Sequence, residues 1–209
     1  ACFPTAVKLS PPPDRNIRWL IVNGAECEPY LNCDNRLMRE GPADIVRGLR
    51  ICKQLFPNAE GVIAIEDNKP EAFAEMTAAI APYADEKIRV SAMEVKYPQG
   101  AEKMLIYTVT GQEIPVGALP ADVGCIILNV RTIHAIEQAI VEGLPLTDRI
   151  ISVTGDAITT PKNLLAPLGT SIRELVDFAG GFKEQPAKVL AGGPMMGTSM
   201  RSLDVPVVK

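Results

Sequence analysis

Short apolar runs alternate with amphipathic helical segments between residues 19 and 142, and this alternation constrains the fold more than any other feature of the sequence. The apolar runs are Trp19–Val22, Gly61–Ile65 and Val123–Leu128, and Ile88–Val95 is a further strand-like segment in which Ile88, Val90 and Ala92 alternate on one face. Apolar runs of this length, bounded by turn residues, are typical of buried strands. Strands that alternate with helices predict a parallel sheet with right-handed crossovers.

The helical segments between these runs are marked by proline or glycine at their ends. They extend from Pro42 to Phe56, from Pro70 to about Ala81, from Gly100 to Thr110 and from Arg131 to Glu142. Proline is favoured in the first turn of a helix, and glycine is favoured just after the last turn. Together with the apolar runs, these segments predict an α/β fold, in which a Rossmann-like, mostly parallel sheet is flanked by helices.

The pattern changes in the last third of the sequence. Asp148–Thr154 predicts a strand, and Asn163–Ala166 predicts its hairpin partner. Thr170 or Ser171, followed by Glu174, has the spacing of a capping box and predicts the start of a helix.

On this last helix, we expect Leu175 and Phe178 to face inwards, and Lys188–Ala191 predicts a third strand. A hairpin, a helix and a strand in this order predict a small β-grasp module. We therefore expect a Rossmann-like domain at residues 1–147, a β-grasp module at 148–191, and a C-terminal strand or linker at 192–209.

Composition excludes several classes of protein. Hydrophobic residues make up 47% of the chain and charged residues 22%, which is enough for a packed core. The formal net charge is −4, and the lysines and arginines are dispersed, so we expect no binding of nucleic acid. No apolar run approaches the roughly 20 residues that span a bilayer.

The cysteines indicate neither a disulfide framework nor a metal site. The chain has five cysteines, an odd number, and they form no Cys-x-x-Cys pair. That pattern argues against a set of disulfides and against a self-contained zinc site, so we expect no metal ligands. A reducing cytosol is the simplest setting for free thiols.

Polar residues and glycine follow three of the predicted strands at the point where each strand ends. They are Asn23 and Glu26 after the first strand, Gly100 and Glu102 after the third, and Asn129 and Thr132 after the fourth. Ligands of open α/β sheets bind beyond the carboxyl ends of the strands, and free N–H groups at helix starts bind phosphate. This pattern predicts one ligand site.

Taken one at a time, these residues have ordinary structural interpretations. Asn129 and Thr132 are typical of a helix N-cap and its neighbour, and Glu102 is typical of a first-turn carboxylate. Lys8, nearer the start of the chain, is typical of a solvated surface lysine. The ligand site is favoured because a parallel sheet would bring these strand ends to one edge.

Six motifs in order resemble the RnfC subunit of the bacterial Rnf electron-transport complexes. The motifs lie at residues 3–9, 23–30, 66–71, 96–103, 119–124 and 191–197. The sequence is also similar, more distantly, to the NADH-binding flavoprotein subunit of respiratory complex I. Cobalamin-reductase-type and proline-reductase-associated proteins share the same core.

The resemblance implies a Rossmann-like domain that holds FMN and accepts hydride from NADH, followed by an SLBB module, which is a β-grasp. It implies that Phe3 and Glu26 act at the reacting rings and that Lys8 contacts the ribityl phosphate. It further implies that the cofactor contacts Asn23, Glu26, Gly100, Glu102, Asn129 and Thr132.

The same resemblance implies an NADH-dependent oxidoreductase subunit within an ion-translocating NADH–ferredoxin oxidoreductase. Its partners would be other Rnf-type subunits and ferredoxin-linked electron carriers, and it would lie peripherally on the cytoplasmic face of the cell membrane. The family's glycine-rich run and 4Fe-4S cysteines, which flank this region, are absent from residues 1–209. We therefore expect an excised central piece that is inactive on its own and binds FMN weakly.

Two other interpretations remain open at this point. The fold could be a docking or scaffold module without a working flavin site, or the core of a cobalamin-reductase- or proline-reductase-type electron carrier. Retention of FMN distinguishes the first of these from an electron-transfer protein.

Overall fold

The structure is a computed structural model that describes residues 3–208. These residues form two compact units. One comprises residues 3–27 and 34–145, and the other comprises residues 28–33 and 146–208. The second unit is therefore built from two separate stretches of the chain, and the predicted domain limits at residues 147 and 191 stay predictions.

The first unit is built on a four-stranded parallel sheet, as the alternating pattern predicted. Its strands are β1 (Trp19–Asn23), β2 (Glu60–Glu66), β3 (Ile88–Met93) and β4 (Cys125–Asn129). They lie in the order β3-β2-β1-β4, and every neighbouring pair is parallel. The carboxyl ends of all four strands therefore meet at one edge of the sheet.

Helices connect these strands. They are α1 (Thr5–Lys8), α2 (Cys33–Glu40), α3 (Pro42–Leu55), α4 (Pro70–Ile80), α5 (Glu102–Thr110) and α6 (Val130–Glu137). Short 3-10 turns cover Ala81–Glu86 and Pro120–Val123, and a π turn, Gln138–Glu142, follows α6. The four helices predicted here are confirmed to within a few residues, whereas α1 and α2 were not predicted.

One physical reason explains why the sequence did not indicate α1 and α2: both helices bury very few residues. α1 is only four residues long and buries none of them. α2 buries only Leu37 and Met38, so its apolar stripe is too short to produce a helical period. Neither helix is long enough to be stable alone, and tertiary packing forms them.

The sheet of the first unit is buried on both faces. Leu20, Ile21 and Val22 of β1 are fully buried, which accounts for the continuous apolar run. On one face, Ile21 belongs to a cluster with Leu105 and Ile106 of α5. None of the helices within residues 3–208 is both long and apolar enough to cross a membrane.

The second unit contains a hairpin and a helix, as predicted. β5 (Asp148–Val153) pairs antiparallel with β6 (Lys162–Pro167), and α7 (Ile172–Phe178) follows. Ser171 caps α7, and Glu174 completes the capping box by accepting a hydrogen bond from the Ser171 amide. The capping box is therefore confirmed.

The prediction that Phe178 faces inwards is wrong. Its side chain is 71% exposed and lies beside the Lys162 ammonium. The inner face of α7 is set by Leu175, Val176 and Ala179, all of which are buried. Because successive residues are about 100° apart around a helix, Phe178 lies to one side of Ala179.

The third strand is shorter than predicted. It is β7 (Leu190–Ala191), and it pairs antiparallel with β8 (Thr198–Ser199) in a separate two-stranded sheet. Gly192 has φ +99 and turns the chain back immediately after β7, a conformation that favours glycine. The predicted C-terminal strand is a single antiparallel bridge between Pro206 and Ser171.

Gly48 lets α3 approach α6 closely. A Cβ atom on Gly48 would lie 2.3 Å from the backbone oxygen of Ile133. We expect Gly48→Ala to destabilise the protein by about 1–3 kcal/mol, because overpacking outweighs the better helix propensity of alanine. Urea unfolding followed by circular dichroism measures the decrease in the free energy of unfolding.

The control is Gln54→Ala, which introduces the same residue at an exposed position of the same helix. We expect the free energy of unfolding of this variant to be within about 0.5 kcal/mol of that of the unsubstituted protein. A Gly48→Ala protein as stable as the Gln54→Ala control would show that the helices separate freely at this point.

Candidate functional site

Two asparagines lie at the ends of neighbouring strands at the carboxyl edge of the sheet. Asn23 of β1 and Asn129 of β4 are register partners. The Asn23 side-chain amide donates a hydrogen bond to the backbone oxygen of Gly100, at 2.9 Å, and its Oδ1 accepts one from the Ala25 amide. Asn23 therefore joins the end of β1 to the loop that precedes α5.

Asn129 joins the end of β4 to two helices. Its Oδ1 caps α6 by accepting a hydrogen bond from the Arg131 amide, and its Nδ2 donates to Oδ2 of Asp34 at 2.7 Å. Thr132 lies in the first turn of α6 and is half-buried. The ordinary N-cap interpretation of Asn129 is thus correct, and the residue also lies at the expected edge.

The Glu26 carboxylate anchors the start of α2. Its two oxygens accept hydrogen bonds from the backbone amides of Asp34 and Asn35, each at 2.9 Å. A carboxylate at this position also complements the positive end of the helix dipole. The loop after β1 is therefore fixed to α2 by the side chain that the sequence indicated as catalytic.

Lys8 and Glu102, both predicted to bind the cofactor, form an ion pair with each other. The Lys8 ammonium also donates to the backbone oxygen of Ile127, in β4, at 3.1 Å. This contact holds a cation beside the end of β4. Phe3, the other residue predicted to be catalytic, is 52% exposed and precedes α1.

Asp34 is a site residue that the sequence interpretation missed. Burial and, to a smaller extent, the nearby Glu26 carboxylate raise its pKa to about 6, while the Asn129 amide and the Arg131 charge oppose the increase. The residue belongs to α2, whose apolar residues show no clear helical period. In the sequence, Asp34 is only an aspartate within a polar segment, and nothing there indicates that it is buried.

Two more buried polar residues near these loops were also missed. Glu66 ends β2 and is 1% exposed; its pKa is raised, mainly by burial, although the Lys69 charge opposes the increase. Gln99 is fully buried, and its Nε2 has no hydrogen-bond partner among residues 3–208. A buried amide donor without a partner is uncommon, and Gln99 directly precedes Gly100.

Glycine is required where the loops approach each other. A Cβ atom on Gly24 would lie 2.7 Å from Sδ of Met38 and 3.0 Å from the backbone oxygen of Ala64. A Cβ atom on Gly100 would lie 3.2 Å from the backbone oxygen of Ala25. The strand ends are thus packed closely, and backbone groups are accessible where side chains would block them.

The first unit does not offer an activated nucleophile among its buried groups. Burial raises the pKa of Cys52 and of Cys125 to about 11, so both thiols stay protonated. Burial and the Arg131 charge lower the pKa of His134, which lies mid-helix in α6. None of these three groups is therefore activated as a nucleophile or a base.

The arrangement fits a flavin mononucleotide. A phosphate requires cations and N–H donors, and the edge offers the Lys8 ammonium and the capped start of α6. Flavin rings require polar groups at their rim. Nε2 of the buried Gln99, which directly precedes Gly100, has no hydrogen-bond partner among residues 3–208, whereas the Asn23 amide is bonded to Gly100 and Ala25. The glycines leave backbone groups accessible between these side chains.

In the second unit, Glu28 organises the glycine-rich turn near the end of the chain. Its carboxylate accepts hydrogen bonds from the backbone amides of Met195 and Met196, both at 2.9 Å. A Cβ atom on Gly193 would lie 2.2 Å from that carboxylate. The Gly-Gly-Pro-Met-Met-Gly motif is therefore a packed turn that binds a carboxylate, and its side chains Met195 and Met196 are exposed.

The chain is similar to proteins of known family along its whole length. It is 47% identical to the C subunit of the proton-translocating ferredoxin:NAD(+) oxidoreductase complex of Clostridium ljungdahlii, and 43% identical to the Na(+)-translocating counterpart of Acetobacterium woodii. Each comparison covers 100% of this chain but only 45% and 47% of the relatives, so the chain spans about half of their length. The resemblance to the RnfC family is confirmed.

The fold is also shared with solved structures. Two structures of an NAD+-reducing [NiFe]-hydrogenase, air-oxidised and H2-reduced, superpose with TM-scores of 0.81 and 0.77 at 21% and 20% identity. The superpositions cover 98% and 99% of this chain, and 40% and 41% of the matched hydrogenase chains. At this level of identity, the comparison establishes the fold alone.

Two family models match successive parts of the chain. An SLBB domain matches residues 150–199, in the second unit. The Nuo51 FMN-binding domain matches residues 1–138, which contain the sheet and all of the predicted site. The chain therefore belongs to the Nuo51 FMN-binding domain family and carries an SLBB domain after it.

Proposed function

We propose that this chain holds FMN at the carboxyl edge of its parallel sheet and, within a longer oxidoreductase subunit, passes electrons from NADH to iron–sulfur centres. The observation that carries the proposal is the convergence of Asn23, Gly100, Asn129 and Lys8 at that edge, in a domain whose family binds FMN.

The phosphate of FMN would be held at the start of α6. Asn129 caps this helix, Thr132 supplies a hydroxyl, and the Lys8 ammonium lies beside β4 through its bond to Ile127. Lys8 forms an ion pair with Glu102 in the structure. A bound phosphate would therefore either replace the Glu102 carboxylate at the Lys8 ammonium or bind the ammonium together with it. Lys8 would thus provide the preference for a phosphorylated flavin.

The flavin ring would lie against the loop that follows β1. Asn23 and Glu26 would border its polar rim, and the exposed Phe3 ring would pack near the nicotinamide or the flavin. Bound FMN supplies the redox chemistry, because it accepts a hydride and can release electrons singly. The residues of this chain bind it, orient it and fix the electrostatic environment.

The names of the relatives support a more detailed proposal. Both belong to ion-translocating ferredoxin:NAD(+) oxidoreductase complexes. We propose that the complete protein works with other Rnf-type subunits, passes electrons to ferredoxin-linked carriers through 4Fe-4S clusters in other parts of its sequence, and lies peripherally on the cytoplasmic face of the membrane.

A flavin titration tests the phosphate site. We expect FMN to bind more tightly than riboflavin, and Lys8→Met to weaken FMN binding by about tenfold, since a charge-assisted hydrogen bond contributes about 1.5–3 kcal/mol and the ion pair with Glu102 offsets part of it. Riboflavin affinity should change less than about twofold. Quenching of flavin fluorescence measures both constants.

The matched control is Lys103→Met, which removes an exposed lysine next to Glu102 in α5. We expect it to leave both affinities unchanged. If Lys8→Met weakened FMN and riboflavin equally, Lys8 would not contact the phosphate.

A second measurement tests the redox function and separates it from a docking module. We expect NADH to bleach the visible absorbance of FMN bound to the longer oxidoreductase subunit under anaerobic conditions. Phe3→Ala should slow this reduction by roughly ten- to hundredfold, because positioning of the two rings controls hydride transfer. The exposed residue Val7, replaced by alanine, serves as the control.

Bound FMN that NADH leaves oxidised would support a flavin-binding or docking role without NADH chemistry. Equal rates for Phe3→Ala and Val7→Ala would remove Phe3 from the reacting centre.

A further inference from the structure

Asp34 lies between the two strand-end loops that the proposed site uses. Its carboxylate accepts a hydrogen bond from Nδ2 of Asn129, the residue that caps α6. Its backbone amide donates to the Glu26 carboxylate, which belongs to the loop after β1. One residue is thus in contact both with the start of α6 and with the anchor of the β1 loop.

Two charged groups face Asp34, one on the loop after β1 and one in α6. Glu26, on the β1 loop, places a second carboxylate nearby, and Arg131, in α6, places a guanidinium nearby. Cys33 directly precedes Asp34 in α2. Asn129, at the end of β4, is neutral but donates to the carboxylate.

Other cations of this edge already have carboxylate partners. Lys8 is paired with Glu102, and the Lys69 ammonium lies 3.7 Å from Glu66. A phosphate that approaches the start of α6 would therefore bring negative charge to a region where carboxylates are already present. Binding of an anion becomes more favourable if one of these carboxylates is neutralised.

We propose that Asp34 takes up one proton from solvent when an anionic ligand binds at the start of α6, so that FMN binding is coupled to protonation of this carboxyl. The inference rests on the proposed function. One proton is added to one carboxylate oxygen, the negative charge of Asp34 disappears, and the other oxygen continues to accept from Asn129.

Asp34 is better suited to this role than its neighbours. Both oxygens of Glu26 already accept backbone N–H groups of α2. Burial raises the pKa of Glu66 as well, but this residue ends β2 and lies beside Lys69 rather than beside the cap of α6. The pKa of Asp34 is raised to about 6 without a ligand, so at pH 7 a bias of about tenfold protonates half of the molecules.

The test is the affinity for FMN between pH 5.5 and 8.5, measured by flavin fluorescence on the 209-residue chain, on Asp34→Asn and on Asp85→Asn. Asp85 is an exposed aspartate in the 3-10 turn before β3, so this control removes a carboxylate at the opposite edge of the sheet. The FMN phosphate itself ionises near pH 6, and it contributes equally to all three proteins.

We expect the dissociation constant of the unsubstituted protein to rise by up to about tenfold per pH unit more than that of Asp34→Asn between pH 6 and 8. This is the largest slope that one linked proton produces. Asp85→Asn should match the unsubstituted protein. Riboflavin, which carries no phosphate, should give the same pH slope with and without Asp34.

A direct measurement covers the case in which Asp34→Asn does not fold. Calorimetry of the unsubstituted protein at pH 7, in two buffers of different ionisation enthalpy, counts the protons taken up on binding of FMN. The 13C signal of the Asp34 carboxyl reports its protonation, and its pKa should rise by at least one unit with FMN bound.

Three results would overturn the inference. They are equal pH slopes for the unsubstituted protein and Asp34→Asn, an Asp34 carboxyl whose pKa is unchanged by FMN, and a slope difference that persists with riboflavin. If FMN binds at no pH, the proposed function fails as well; if FMN binds without a linked proton at Asp34, only this inference fails.

Discussion

The side-chain amides of Asn23 and Asn129 hold together the loops from which the site is built. They are register partners on neighbouring parallel strands, and each binds a group outside the sheet: the Gly100 carbonyl for Asn23, and the α6 amide and Asp34 for Asn129. Without these hydrogen bonds, the strand ends would still be adjacent, but Gly100 and Asp34 would lose their side-chain links to them. The proposed cofactor contacts at Gly100 and at the start of α6 depend on this arrangement.

Carboxylates in this protein bind backbone amides as well as forming ion pairs. Glu26 holds the first amides of α2, Glu28 holds two amides of the glycine-rich turn, and Glu174 holds the amide of its own N-cap. A carboxylate that accepts such bonds is held in one orientation. The two glutamates on either side of Cys27 therefore serve as fixed anchors.

The sequence predicted the strands of the first unit because three of them are continuous apolar runs and the fourth, β3, alternates apolar with polar residues. It also predicted that Asn23 and Asn129 lie at the same edge of the sheet, because the carboxyl ends of parallel strands meet at one edge. It did not predict α2 or Asp34, because a helix that buries two residues has no detectable period. Phe178 was misplaced because the inner face of α7 is centred on Ala179, a small residue that spacing alone does not single out.

The glycine-rich turn near the end of the chain binds a glutamate that lies 167 residues earlier in the sequence. The second unit is consequently discontinuous along the chain, and its two pieces must be synthesised together to form it. A fragment that started at residue 146 would contain the amides of Met195 and Met196 but lack the carboxylate that accepts their hydrogen bonds. Ribosomal synthesis has the same consequence, since Glu28 must wait for all of the residues up to Met196 to emerge before it acquires its partners.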